Sequence, residues 1–266
     1  MVREQVKQLL SLMKERDIDV YIVPSEDFHQ SEYVGEFFKA RAYVSGFTGS
    51  AGTVVATADE VCLWTDGRYF LQAGDQLKGT GIVLQKMGEP GVPTVMEYIK
   101  SHLPKGGTLG FDGRTISVSD GAAYEALAEE KEGSITYNMD LVGEIWENRP
   151  PLSEKKAFKL AEDITGESAQ SKLTRIRKVM EEKGTDTHIV ASLDDVCWIL
   201  NIRGDDILFS PIVLSYAVIT MDDMVLFIDE AKLDDGMKEE FKALNVSIRP
   251  YNAIYDYVKD LKDRSI

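Results

Sequence analysis

The stretch from Arg41 to Phe70, RAYVSGFTGSAGTVVATADEVCLWTDGRYF, decides how we interpret the fold of this chain. It places a glycine-rich loop before two apolar runs, which are separated by a polar turn at residues 58–60. Two such runs joined by a short turn predict a β-hairpin. A phosphate-binding loop is the alternative, but such loops lead into a helix and carry a lysine. We therefore interpret Gly46, Gly49 and Gly52 as the tight entry into a hairpin.

The WTDGRYF segment after the second run carries two of three candidate site residues, Arg68 and Tyr69. The ends of strands are where α/β proteins usually bind ligands, and a guanidinium suits a carboxylate or a partner chain. An internal salt bridge is an equally weighted role for this pair. His29, in PSEDFHQSEY, is the third candidate, because it follows a strand beside acidic residues. We expect Trp64 to be buried and Asp66 to cap a helix that begins near Arg68.

The same pattern returns later in the chain. TVVATADEVCLWTD (53–66) aligns with YAVITMDDMVLFID (216–229), and a helix–strand segment that ends at Val23 aligns with one that ends at Val190, which pairs Asp19 with Asp186. A strand–helix segment follows each hairpin. Three elements in the same order indicate an internal duplication.

The fold class that follows is α/β, with two tandem domains, each a mixed β-sheet flanked by helices. We assign residues 1–149 to the first domain, 150–165 to a linker that begins with a proline pair, and 166–266 to the second. The first copy continues with a strand at 107–113, a helix opened by an SVSD cap and a last strand. The second copy stops where the equivalent strand should begin, so we interpret it as truncated, in a segment of a longer protein. A naturally short second domain is the alternative.

The composition of the chain limits the binding partners and the cellular location that we expect. The net charge is −15, which argues against binding to nucleic acid or to an anionic membrane, since both require basic patches. Cys62 and Cys197 lie in apolar runs and are interpreted as buried thiols in a reducing compartment. The N-terminus reads as an amphipathic helix with mixed charges, not as a signal peptide. We therefore predict a cytoplasmic protein.

Catalytic machinery is not found in the sequence. The three histidines have no second histidine four residues on, and no HExxH motif occurs. Adjacent acids such as Asp194–Asp195 would point to opposite faces of a strand, and most are interpreted as turn residues. No serine has the GxSxG context. We nominate no catalytic residue and no metal ligand in this segment.

Four stretches, in this order, resemble the N-terminal part of Xaa-Pro aminopeptidases (aminopeptidase P), especially the large three-domain cytosolic type. They are YIVPSEDFHQSEYVGEFFKARAYVSGFTGSAGTVV, LWTDGRYFLQA, LVGEIWENRP and SLDDVCWILNIRGDDILFSPIVLSYAVI. The resemblance implies two creatinase/prolidase N-terminal-like domains here and, outside this segment, a C-terminal pita-bread catalytic domain with two divalent metal ions, usually manganese.

The resemblance also implies a peptide substrate, a homodimeric parent, and a segment that binds no cofactor, is inactive alone, and shapes substrate access and dimerisation. One alternative is a free-standing creatinase-N-like binding or assembly module. Another is the N-terminal part of a prolidase-type dipeptidase, which the two-copy arrangement disfavours.

Overall fold

A computed structural model of the chain describes residues 3–262 and 264–266. The chain divides into two units, Met1–Pro151 and Leu152–Ile266. Each unit contains a mixed β-sheet and α-helices, as the sequence predicts. No helix in the described ranges is long and apolar enough to cross a membrane.

In its described part, the first unit forms six strands and six α-helices. The strands are β1 (Val20–Val23), β2 (Thr53–Thr57), β3 (Val61–Thr65), β4 (Ile82–Lys86), β5 (Thr108–Phe111) and β6 (Ser134–Thr136). The helices are α1 (Glu4–Glu15), α2 (Ala40–Ser45), α3 (Phe70–Gln76), α4 (Val95–His102), α5 (Val118–Glu130) and α6 (Leu141–Ile145).

The sheet of the first unit has the order β4-β3-β2-β1-β5-β6. β2 is antiparallel to both of its neighbours, β1 and β3. The other pairings, β3 with β4, β1 with β5 and β5 with β6, are parallel. Consequently every strand except β2 ends at the same edge of this sheet, and β2 begins there.

The central strands are buried on both faces. Tyr21 and Leu63 belong to a core cluster that includes Leu9 of α1, whereas their neighbours Ile22 and Trp64 belong to the cluster on the opposite face. Successive side chains of a strand point to opposite faces, so two helical layers cover the sheet. The predicted burial of Trp64 is confirmed, with 1% of its surface exposed.

The predicted local elements of the first unit are confirmed. β2 and β3 form the hairpin, in which Thr57 N–H donates to Glu60 O at 2.9 Å. α5 begins after Ser117, whose hydroxyl accepts from Asp120 N–H at 3.1 Å. Cys62 is a buried free thiol, and burial raises its pKa.

The second unit, in its described part, forms six strands and five α-helices. The strands are β7 (Phe158–Lys159), β8 (Thr187–Val190), β9 (Ile202–Arg203), β10 (Tyr216–Thr220), β11 (Met224–Phe227) and β12 (Val246–Arg249). The helices are α7 (Glu162–Thr165), α8 (Ala169–Lys183), α9 (Leu193–Leu200), α10 (Asp235–Ala243) and α11 (Ile254–Lys259). The main sheet has the order β12-β11-β10-β8, and β7 pairs with β9 separately.

The four-stranded sheet repeats β4-β3-β2-β1 in order, direction and register. Val23 faces Val54 in the first unit, and Val190 faces Ala217 in the second. The sequence alignment pairs these residues in the same way. Both sheets also have two antiparallel pairings followed by one parallel pairing. The predicted duplication is therefore confirmed at the level of hydrogen-bond register.

The segment assigned to a linker, residues 150–165, overlaps with regular structure of the second unit. Phe158 pairs with Arg203, and Ala157 N–H donates to Lys232 O at 3.0 Å. The proline pair coincides with the division after Pro151, but the following charged residues become ordered because their backbone finds partners far along the chain. The limits 1–149 and 166–266 stay a prediction.

One of the adjacent acids, Asp206, is buried, although most of these acids are interpreted from the sequence as turn residues. Asp206 accepts from Lys232 Nζ at 2.6 Å, and their side chains are 1% and 2% exposed. The Asp206 carboxylate also accepts from Leu214 N–H at 2.7 Å. A charge inside a protein requires such partners, so this ion pair braces the loop that leads into β10.

Candidate functional site

The candidate site lies at the edge of the first sheet where five strands end, which we call the carboxyl edge. Three segments meet there: the loop after β1 (residues 24–35), the glycine loop before β2 (residues 46–52) and the segment after β3 (residues 66–69). These segments contain His29, Arg68 and Tyr69, so the fold brings the three predicted residues to one edge of the sheet. Edges of this kind commonly bind ligands in α/β proteins.

Arg41 holds the glycine loop in place from inside the protein. Its guanidinium donates to Phe47 O at 2.7 Å, to Gly49 O, and to Ser25 Oγ at 3.1 Å. The side chain is buried, and burial lowers its pKa to about 10. Because its partners are carbonyls and a hydroxyl, Arg41 acts as a rigid cross-link between the loops.

The glycines are required by close packing. A Cβ on Gly49 would lie 2.3 Å from the Phe47 ring and 2.8 Å from the Tyr69 ring. A Cβ on Gly52 would lie 2.8 Å from Trp64 O, on the neighbouring strand. Only glycine fits at such distances. The loop is thus a packed entry into the hairpin, as predicted.

Tyr69 is part of this packing. Its hydroxyl is 2.8 Å from Ser50 Oγ, and its ring meets the Phe47 ring edge-on, with 5.8 Å between centroids. The half-buried phenol therefore links the start of α3 to the glycine loop. Its first role in the structure is to position that loop.

Arg68 and Asp66 form an exposed hook. Arg68 Nε and Nη2 donate to the two oxygens of Asp66 at 2.9 Å each, and Arg68 N–H donates to Asp66 Oδ1 at 3.0 Å. The Arg68 side chain is 64% exposed. The expectation that Asp66 caps a helix beginning near Arg68 is wrong: α3 begins at Phe70 without a side-chain cap, and the Asp66 carboxylate binds the side chain and the backbone N–H of Arg68 instead.

The hook shifts the pKa of both partners. Hydrogen bonds from Arg68 lower the pKa of Asp66 to about 2. The same pairing raises the pKa of Arg68, with a further contribution from the charge of Glu32. Glu32 belongs to the loop that carries His29, and its charge is the smallest of the contributions to this shift.

His29 lies in a turn organised by Asp27. The Asp27 carboxylate is fully buried, and its Oδ1 accepts from His29 N–H at 2.8 Å and from Ser31 N–H at 2.9 Å. The His29 side chain is partly exposed. Its place at the carboxyl edge is therefore fixed through the backbone.

A second Asp-Gly-Arg hook, which the sequence analysis missed, follows β5. Arg114 Nε and Nη2 donate to Asp112 at 2.9 and 2.8 Å, as in the first hook. Asp140 lies 3.6 Å from Arg114 and also pairs with Arg149. The signal was available, since the triplet Asp-Gly-Arg occurs at 66–68 and again at 112–114.

The second hook borders a groove of about 870 Å³. Its lining combines arginines and acids with aromatic surface: Arg16, Phe37, Asp112, Arg114, Tyr137, Asp140, Glu144 and Arg149. The described residues contain no cluster of three or more His, Cys, Asp or Glu that could hold a metal ion. The side chains at the carboxyl edge can thus bind polar groups through hydrogen bonds and ion pairs.

Comparison with known proteins gives a consistent picture. Residues 5–143 and residues 148–266 each match a family model described as creatinase/prolidase N-terminal domain. Aminopeptidase P2 of Arabidopsis thaliana is 38% identical over 93% of this chain, and a probable Xaa-Pro aminopeptidase P of Neurospora crassa is 40% identical over 95%. The match covers 35% of the Arabidopsis protein and 37% of the Neurospora protein.

A solved structure is also similar over nearly the whole chain. It is an X-prolyl aminopeptidase from Caenorhabditis elegans, described as a cytosolic enzyme with a di-nuclear active site. The match has a TM-score of 0.91 and 34% identity, and covers 97% of this chain but 43% of that one. The chain therefore spans about two fifths of the length of these relatives.

Replacement of Arg41 by methionine is expected to destabilise the first unit by about 3 kcal/mol, because buried acceptors lose their donor. Urea unfolding followed by amide exchange separates this unit from the second. Arg177→Met is the matched control: Arg177 also donates to turn carbonyls, at 2.9 and 3.0 Å, but from a partly exposed position, and its replacement should cost less than about 1 kcal/mol. Equal urea midpoints for Arg41→Met and the parent chain would contradict this role.

The Asp66 carboxyl is expected to titrate with a pKa of about 2 in an NMR titration of the folded chain. Because this pKa lies below its ordinary value, the hook stabilises the fold fully above about pH 4, and that contribution disappears as the pH falls towards 2. Arg68→Gln should return the pKa towards 3.8. An unshifted value in the parent chain would show that the hook does not persist in solution.

Proposed function

Because this chain belongs to the creatinase/prolidase N-terminal domain family, we propose that it is the non-catalytic N-terminal portion of a metal-dependent Xaa-Pro aminopeptidase. Such an enzyme removes the first residue from peptides with proline in the second position. The observation that carries the proposal is the match of both units, in order, to relatives named as aminopeptidases P at 38% and 40% identity.

Catalysis is assigned to a domain outside this chain. The described residues offer no group of three metal-binding side chains, and the C. elegans relative is described as having a di-nuclear active site. We propose that two divalent ions, manganese in the first instance, are held by a C-terminal catalytic domain, where metal ions can activate water and polarise a carbonyl. No residue of this chain is assigned a part in that chemistry.

The role of this chain in the enzyme is to shape substrate access and to contribute to a homodimer. Arg68 is the strongest candidate for touching peptide, because Asp66 engages its Nε and Nη2 and the side chain remains 64% exposed. A guanidinium held by one carboxylate is oriented in advance for a second acceptor. Tyr69 and His29 are proposed to support this surface, Tyr69 by fixing the glycine loop and His29 from the adjacent turn.

A cytoplasmic location fits this assignment. Cys62 and Cys197 are both free and buried, and the C. elegans relative is described as cytosolic. The net charge of −15 disfavours nucleic acid and anionic membranes as partners. We accordingly propose a peptide substrate, the catalytic domain and a second copy of the enzyme as the partners.

The function is tested by expressing this 266-residue chain and, separately, the whole reading frame that encodes it. A tripeptide with proline in the second position is then assayed with added Mn²⁺. The product of the whole reading frame should cleave it and lose activity in EDTA, whereas this chain alone should not. Turnover by this chain alone overturns the proposal. A reading frame that ends at residue 266 favours a free-standing binding module, and cleavage restricted to dipeptides indicates a prolidase-type enzyme.

Arg68 is tested in the product of the whole reading frame. Arg68→Gln should raise KM about tenfold, the effect of removing one charge-assisted hydrogen bond. Arg175→Gln is the control, because Arg175 is 62% exposed and pairs with Glu167 through the same two nitrogens. Equal KM values for the two variants would limit Arg68 to its salt bridge.

A further inference from the structure

The two Asp-Gly-Arg hooks of the first unit, after β3 and after β5, have the same internal geometry. In both, the backbone N–H of the arginine donates to aspartate Oδ1, at 3.0 Å for Arg68 and 3.1 Å for Arg114. In both, arginine Nε donates to Oδ1 at 2.9 Å. Nη2 donates to Oδ2, at 2.9 Å in the first hook and 2.8 Å in the second. Each aspartate therefore holds its guanidinium side-on.

Side-on binding uses only one edge of a guanidinium. The group carries its N–H donors in a fixed plane, and the aspartate of each hook binds the edge formed by Nε and Nη2. The other hydrogen of Nη2 and the hydrogens of Nη1 point away from that carboxylate. We call the side that they form the Nη edge. Its two nitrogens match the two oxygens of a further carboxylate.

In the second hook the protein itself supplies a further carboxylate. Asp140 Oδ2 lies 3.6 Å from Arg114 Nη2, and Arg149 also pairs with this oxygen. The guanidinium of Arg114 lies over the ring of Phe28, with Cζ 4.4 Å from the ring centroid. An arginine of this kind, bound to one carboxylate and facing a second, is therefore an arrangement that this unit already contains.

The first hook has the same arginine geometry without the second carboxylate. Among residues 3–262 and 264–266, Asp66 is the one acid that forms an ion pair with Arg68, and Glu32 contributes only its charge. The side chain of Arg68 is 64% exposed, against 39% for Arg114. The ring of Tyr69 lies 5.2 Å from Arg68 Cζ. The guanidinium is thus held by Asp66 and Tyr69, and its Nη edge is available to a ligand.

We propose that the Nη edge of Arg68 binds the C-terminal carboxylate of the peptide substrate. The inference rests on the proposed function and names the group of the peptide that the arginine recognises. Peptides of different sequence share this carboxylate, whereas acidic side chains occur only in some of them. Because Asp66 holds the guanidinium in advance, little side-chain freedom is lost on binding. Leu71, three residues further on in the first turn of α3 and 89% exposed, offers apolar surface to the last side chain of the peptide.

The proposal is tested by peptide binding to the 266-residue chain, measured by NMR at low salt. The signals followed are the side-chain Nε–H of Arg68 and the backbone amides of residues 66–71. The tripeptide Ala-Pro-Leu with a free C-terminal carboxylate is compared with the same peptide as its C-terminal amide. The free acid should bind about fivefold more tightly, the upper range for an ion pair open to solvent. The difference should shrink in about 0.5 M NaCl, because salt screens exposed charges.

Three variants, each checked by circular dichroism for an unchanged fold, keep the result specific. Arg68→Gln should bind the acid and the amide equally. Arg68→Lys should retain part of the preference, because an ammonium keeps the charge but not the edge of two nitrogens. Arg175→Gln is the control and should keep the full preference. Arg175 is 62% exposed and is held side-on by Glu167 through Nε and Nη2, but it belongs to the second unit.

Several results would overturn the proposal. One is equal binding of the acid and the amide to the parent chain, and another is the absence of measurable shifts with both. A third is binding of Ala-Pro-Glu amide as tight as that of the Ala-Pro-Leu acid, which would assign the Nη edge to side-chain carboxylates. None of these measurements uses peptidase activity. A whole reading frame whose product cleaves no Xaa-Pro peptide would therefore defeat the proposed function without altering the binding result.

Discussion

The rest of the structure depends on the burial of both faces of β1, β2 and β3. Alternate side chains of these strands enter two different cores, so a shift of one residue would move every side chain into the opposite core, where it does not fit the packing. This fixes the register of the hairpin against β1. It also fixes where the strands end, and therefore gathers the loops that carry His29, Arg68 and the glycines at one edge of the sheet.

In each unit a buried cation holds the loop that leads into the central antiparallel strand, β2 or β10. The cation differs between the two units. In the first unit Arg41 donates to loop carbonyls. In the second, Lys232 pairs with Asp206, whose carboxylate also accepts from Leu214 N–H. Carbonyl oxygens partly compensate a buried guanidinium, whereas an ammonium beside a carboxylate forms a compact neutral pair. The requirement was conserved through the duplication, while its chemical solution was not.

Local patterns in the sequence were sufficient for much of the fold. The hairpins, the cap at Ser117, the buried cysteines and the duplication follow from periodicity and turn chemistry, which act over a few residues. The burial of Asp206 was not predictable in this way, because its partner Lys232 is 26 residues away. The sequence predicts a helix cap at Asp66, because the spacing of the residues does not reveal that the side chain of Arg68 binds the Asp66 carboxylate. The second hook could have been found from the repeated triplet, but its placement beside Asp140 and Arg149 depends on the sheet order.

The two copies differ most where a sheet meets its surroundings. After β3 the first copy reads Asp-Gly-Arg at 66–68, and after β11 the second reads Asp-Glu-Ala at 229–231. Asp229 keeps the turn, since it accepts from Ala231 N–H at 3.0 Å, but no guanidinium follows to bind its carboxylate or to face outward. The backbone geometry of this turn needs only the aspartate, whereas the recognition of peptide that we propose needs the arginine. The second copy has the turn but not the arginine. This difference is expected when both copies of a duplicated scaffold must fold, but only one of them presents a polar surface.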